Sequence, residues 1–83
     1  MIKILSLQYK DNFEFELAFS NGEHGIFDVS DYIAKRTGIL LEPLRNIDYC
    51  KRCFIDAGAL CWPNGLELSG SRVFELSHTE QLA

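Results

Sequence analysis

The chain has 83 residues, 47% of them hydrophobic and 24% charged, with a formal net charge of −4. That length suits one small domain with a limited core and excludes two, and the composition excludes a disordered chain. The acidic balance argues against direct nucleic-acid binding, because phosphate contacts need clustered lysine and arginine, and Lys35-Arg36 and Lys51-Arg52 are short, separate pairs that read as solvated surface.

Taken in chain order, Ile2 to Tyr9 reads as a first strand, punctuated by Asp11-Asn12. Phe13 to Phe19 alternates, with Phe13, Phe15, Leu17 and Phe19 on one face and Glu14, Glu16 and Ala18 on the other, the pattern of a half-buried strand. Asn21-Gly22 is a hairpin signal. A two-residue loop would set Asp28 against Phe15. A three-residue loop, Ser20-Asn21-Gly22, sets Phe27 against Phe15, Val29 against Phe13, Ile26 against Glu16 and Asp28 against Glu14. A slip of one residue exchanges the faces, and each buried aromatic or aliphatic side chain stabilises by roughly 1.5–3 kcal/mol. Burial therefore selects the three-residue loop, with Gly22 in the left-handed conformation. Gly25 then lies opposite Leu17, where it marks a bulge or a close backbone approach.

Ser30 reads as the cap of a short helix, Asp31 to Thr37, with Asp31 favourable near the positive end of the helix dipole and Gly38 as its stop. Leu41 to Arg45 suits one further helical turn, since Pro43 is tolerated at a first helical position. Asp48 reads as the cap of a brief turn through Tyr49 and Cys50. Strands then return: Arg52 to Asp56 and Ala59 to Trp62 flank Ala57-Gly58 as a hairpin, Pro63-Asn64-Gly65 makes a turn, and Leu66 to Leu68 is a brief fifth strand. Ser71 reads as the cap of a last helical turn, Arg72 to Leu76, before a frayed tail at 77–83. The sum is a single α+β domain, an antiparallel sheet of about five strands with short helices packed on one side.

No secretory signal opens the chain, and no stretch approaches the ~20 apolar residues of a membrane span. Three cysteines, an odd number, without an export signal point to a reduced, cytoplasmic setting.

With elements and spacing in hand, the chain resembles the small prokaryotic family called domain of unknown function 2442. The resemblance rests on an ordered set: Phe19-Ser20-Asn21-Gly22-Glu23, Gly25-Ile26-Phe27-Asp28-Val29-Ser30, Pro43-Leu44-Arg45, Ile55-Asp56, and Leu60-Cys61-Trp62-Pro63-Asn64-Gly65. It covers a module over residues 1–76. It implies an α+β fold on an antiparallel sheet and no catalytic residues. Some members carry a helix-turn-helix after this module, and others are encoded beside a small partner protein, which has prompted toxin–antitoxin proposals. This sequence ends where the module ends, so no helix-turn-helix is expected and direct DNA reading is not carried over.

Cys50-Lys51-Arg52-Cys53 is a C-x-x-C, but zinc needs four ligands and only Cys61, His24 and His78 remain to complete a set. Packing explains Cys53 and Cys61 more simply, and neither a metal nor a cofactor is expected. His24 and His78 lie far apart, and no nucleophile setting or phosphate loop stands out. Glu14, Glu16 and Asp28 crowd the outer face of the first hairpin, either as a solvated acidic face that discourages edge pairing or as a docking surface for a basic partner. Trp62 has two readings. Buried, it pins the Pro63-Asn64-Gly65 turn; half exposed, it anchors an interface in which Asn64 takes part. The candidate partner-binding residues are therefore Trp62, Asn64, Glu14, Glu16 and Asp28. The expected function is a non-enzymatic protein-interaction module, the antitoxin-like or regulatory partner of a neighbouring gene product, with a homodimer through an open sheet edge as a further mode of association. The alternative is a small-ligand-sensing regulatory domain with a pocket near Trp62 and Tyr49.

Overall fold

A computed structural model describes residues 1–82, with side chains through Ser77. The strands divide into two antiparallel meanders. The first is β1 (Ile4–Tyr9), β2 (Glu14–Phe19) and β3 (His24–Asp28); the second is β4 (Phe54–Asp56), β5 (Ala59–Cys61) and β6 (Glu67–Leu68). The single sheet of about five strands expected from sequence is thus two three-stranded sheets. The reason lies between them: α1 (Val29–Ala34), a 3-10 turn (Glu42–Arg45) and α2 (Ile47–Cys50) take up the connection. Where the sheets meet, no ladder forms. The Ile4 N–H donates to the Gly58 carbonyl at the β4–β5 turn, 2.9 Å away.

The register of the first hairpin is the one that burial selects. Phe15 pairs with Phe27, Glu16 with Ile26, Leu17 with Gly25 and Glu14 with Asp28. The Phe19 N–H donates to Glu23 O, the Gly22 N–H donates to Phe19 O, and Gly22 takes φ +87°. Phe15, Leu17, Phe19, Phe27 and Val29 are buried together in one core shared by both sheets. Phe13 is half buried against that core. It belongs to the preceding turn rather than to the strand: Asn12 and Phe13 have φ of 52° and 67°, and the Glu14 N–H donates back to Asp11 O. Two successive left-handed residues are the signature of a type I′ hairpin turn, and a bulky aromatic in that conformation is strained.

Each α-helix begins earlier than the sequence suggests. The cap of α1 is Asp28, whose carboxylate accepts from the Asp31 N–H at 3.2 Å and the Ser30 hydroxyl at 2.6 Å. The helix ends at Ala34, and Gly38 instead starts the next turn, its carbonyl accepting from Leu41 and Glu42. The cap of α2 is Asn46, accepting from the Asp48 and Tyr49 N–H groups. The third helix, α3 (Gly70–Leu82), is longer than the single turn expected, and the Ser69 hydroxyl accepts from the Arg72 N–H. Ser71 turns away and accepts from the Ile2 N–H. Ser77, the first residue of the frayed tail expected from sequence, is buried in α3, its hydroxyl donating to Phe74 O. The backbone at 78–82 continues α3 where a frayed tail was expected, and residue 83 lies outside the described residues. Phe74 meets Phe19 edge-on at 5.1 Å, which seats α3 on the first sheet.

Gly70 is required by close approach. A Cβ there would overlap the Ile2 carbonyl oxygen and lie 2.8 Å from that of Gly58. The start of α3, the start of β1 and the β4–β5 turn therefore meet backbone to backbone.

Candidate functional site

Trp62 follows β5 directly. Leu60 points inward, paired with Ile55 and Leu68 across the second sheet, and Trp62 continues that inward row. The indole is 1% exposed, and its Nε1–H donates to the Cys50 carbonyl at 3.0 Å. Cys50 closes α2, so the indole satisfies one of the carbonyls that a helix end leaves without an intrahelical partner. Trp62 is therefore a pin, and its ring is not presented for direct contact with a partner.

What it pins is the turn. The Trp62 N–H donates to Leu66 O at 3.0 Å, the Gly65 N–H donates to Trp62 O at 3.1 Å, and Gly65 takes φ +94°. This is the Ser20-Asn21-Gly22 loop repeated: a three-residue loop ending in a left-handed glycine. In both, the Asn Oδ1 accepts from the N–H two residues on, Asn21 from Glu23 and Asn64 from Leu66. Asn64 adds one further bond, its Nδ2 donating to Leu40 O at 3.0 Å. That bond ties the turn to the loop before the 3-10 helix, and Asn64 is half buried in making it.

Large apolar side chains stand exposed on segments next to this turn. Ile39 is 89% exposed, Leu40 43% and Phe54 46%, three of the five large hydrophobic side chains exposed among the described residues. A groove of about 350 Å³ runs beside it, lined by Phe54, Cys61, Pro63 and Leu66 with Asp56 and Glu67 at its rim. Phe54 pairs with Cys61 and Cys61 with Glu67, so these three form one row on the outer face of the second sheet. Sequence reasoning missed Phe54, Ile39 and Leu40. The signal for Phe54 was present: with Leu60 and Trp62 inward, a hairpin centred on Ala57-Gly58 sets Ile55 inward and Phe54 outward.

The acidic residues of the first hairpin are less available than expected. Asp28 is committed to the α1 cap. Glu16 lies 3.9 Å from Lys10 Nζ, both side chains about half exposed, and Glu14 is half buried opposite Asp28. A concavity of about 530 Å³ on this face is lined by Ser6, Gln8, Glu16, Ala18 and His24. Tyr49 and Trp62, placed near one pocket by the ligand-sensing alternative, line different grooves, Tyr49 with Pro43, Asn46, Asp48 and Arg52.

All three cysteines are free. Burial pushes the Cys50 thiol up to about 11. Burial, with Cys50 beside it, pushes Cys53 up to about 12. Cys61 is also raised, by burial and then by the Glu67 carboxylate, whose Oε2 accepts from its thiol at 3.7 Å. Thiols held protonated are poor nucleophiles and poor ligands. Among the described residues no three His, Cys, Asp or Glu side chains gather as metal ligands, and no helix is long and apolar enough to cross a membrane.

Neither a curated protein nor a solved structure matches the chain. A family model described as protein of unknown function DUF2442 matches residues 4–78. That match covers nearly the whole chain, and the chain belongs to this family.

Proposed function

We propose that this domain is a non-enzymatic protein-interaction module, the regulatory or antitoxin-like partner of a neighbouring gene product in a prokaryotic cytoplasm. The observation that carries the reading is the Pro63-Asn64-Gly65 turn. It is braced from below by Trp62 and from the side by Asn64, and Leu40 and Phe54 stand exposed on the segments it touches. A rigid, locally apolar surface on a small acidic domain is what a protein partner can dock on without ordering a loop first. Three unbonded thiols suit a reducing compartment, and thiols pushed upward by burial suit packing better than catalysis.

The test is coexpression of the tagged chain with the product of each adjacent gene, followed by size-exclusion chromatography. The reading expects one stoichiometric complex that persists through the column. Elution of the chain free of every neighbour's product refutes it.

A further inference from the structure

We infer that the groove over the row Phe54, Cys61 and Glu67 receives a segment of a protein partner that carries an arginine or lysine beside an apolar side chain. The inference rests on the interaction-module reading and supplies the partner's chemistry.

The two halves of that requirement come from the groove itself. Its floor is apolar: Cys61 is 6% exposed, Leu66 is half buried against the core, and Pro63 forms one wall. An apolar side chain laid there exchanges water for packing. Its rim is anionic. Asp56 and Glu67 are both exposed, and both carboxylates lie close enough to Cys61 to act on its thiol. No lysine or arginine lines the groove, so its two carboxylates favour a cation from outside. Neighbouring strands lie about 4.8 Å apart, so Phe54 and Glu67, two strands apart, are separated by roughly 10 Å. A guanidinium can stack on the half-exposed Phe54 ring while its fork meets a rim carboxylate. Burial keeps Cys61 a neutral thiol, so the floor adds no charge of its own. A second copy docked by two-fold symmetry at this groove is a poor occupant, because it would bring the same two carboxylates against themselves.

The experiment pans a displayed library of random peptides against the full chain. Selected peptides are then titrated against wild type, D56N/E67Q and F54S. Phe54, Asp56 and Glu67 are exposed, and the amide pair is isosteric, so D56N/E67Q keeps the question open even if F54S folds poorly. The expected result is enrichment of peptides with Arg or Lys adjacent to Leu, Ile, Phe or Trp. Their affinity falls about tenfold or more in D56N/E67Q and in F54S, and wild-type binding weakens with salt far more than that of the amide pair. Enrichment of acidic or uncharged peptides overturns the inference. So does no enrichment, or basic peptides that bind all three proteins equally, or a wild-type dimer in sedimentation that F54S dissolves. A neighbour's product that binds every variant equally defeats this inference alone, whereas failure of every neighbour's product to bind even the wild type defeats the interaction-module reading beneath it.

Discussion

Replacing Trp62 with phenylalanine separates its two roles. The ring stays aromatic, so most of the buried apolar surface survives, but the donor to Cys50 O is gone. A buried carbonyl left without its partner costs about 1–3 kcal/mol. The smaller ring also leaves a void, and core truncations add roughly 24 cal/mol per Å³ of cavity that does not collapse. W62F should therefore lose about 2–4 kcal/mol, a large share of the roughly 5 kcal/mol at the low end for small domains. Urea titration followed by circular dichroism measures it, since the variant loses the chain's only tryptophan. An unchanged slope with a lower midpoint marks a stability change rather than an altered denatured state. A loss below about 0.5 kcal/mol, the range of ordinary surface substitutions, would refute the pin and return Trp62 to the surface.

Other expectations follow from single contacts. Gly22 and Gly65 have positive φ, and a methyl added at either would meet nothing within 4 Å, whereas a Cβ on Gly70 meets backbone oxygens. G22A and G65A should each cost about 1–2 kcal/mol of backbone strain, and G70A clearly more, as read by urea midpoints. Asp28 acts as a cap, so D28A should lose about 1 kcal/mol while D28N, itself a good cap, stays within a few tenths in the same assay. The thiols of Cys50 and Cys53 titrate higher in the fold, about 11 and 12, than the ordinary 9.0. Above pH 9 the unfolded chain releases those protons while the native state keeps them. Their contribution is thus complete below pH 9 and is lost as pH rises from there, at up to about 1.4 kcal/mol per pH unit for each thiol. Chemical denaturation between pH 8 and 11, compared with C50A/C53A, checks the sign; a stability that rises in wild type relative to the variant contradicts it.

The first hairpin was legible because two independent signals agreed: the alternation of Phe15, Leu17 and Phe19, and the Asn-Gly loop that sets their partners. The helix starts were not, and one cause recurs. Asp28 and Ser30, Asn46 and Asp48, and Ser69 and Ser71 are pairs of cap-forming residues, and in each the earlier one caps. Propensity ranks the members of such a pair almost equally. The choice is made by where the preceding element ends: Asp28 closes β3, Asn46 follows the 3-10 turn and Ser69 follows β6. The division into two sheets was hidden for a related reason, since strand patterns carry no information about which strands share a ladder. At the candidate site, the Pro63-Asn64-Gly65 turn and the buried reading of Trp62 as its pin were visible in the sequence, but the bond from Asn64 to Leu40 was not. The apolar surround was not either, because it comes from three separate stretches, and only the fold brings Leu40 to Asn64.

The most direct test of the proposed interaction surface is an amide chemical-shift map of the labelled chain titrated with the neighbouring gene product. The account predicts the largest shifts at Leu40, Phe54, Asp56, Gly65 and Glu67, with Ser6, Glu14, Glu16 and His24 unmoved. Shifts concentrated on those four outer residues of the first sheet, with the Pro63-Asn64-Gly65 turn silent, would contradict it.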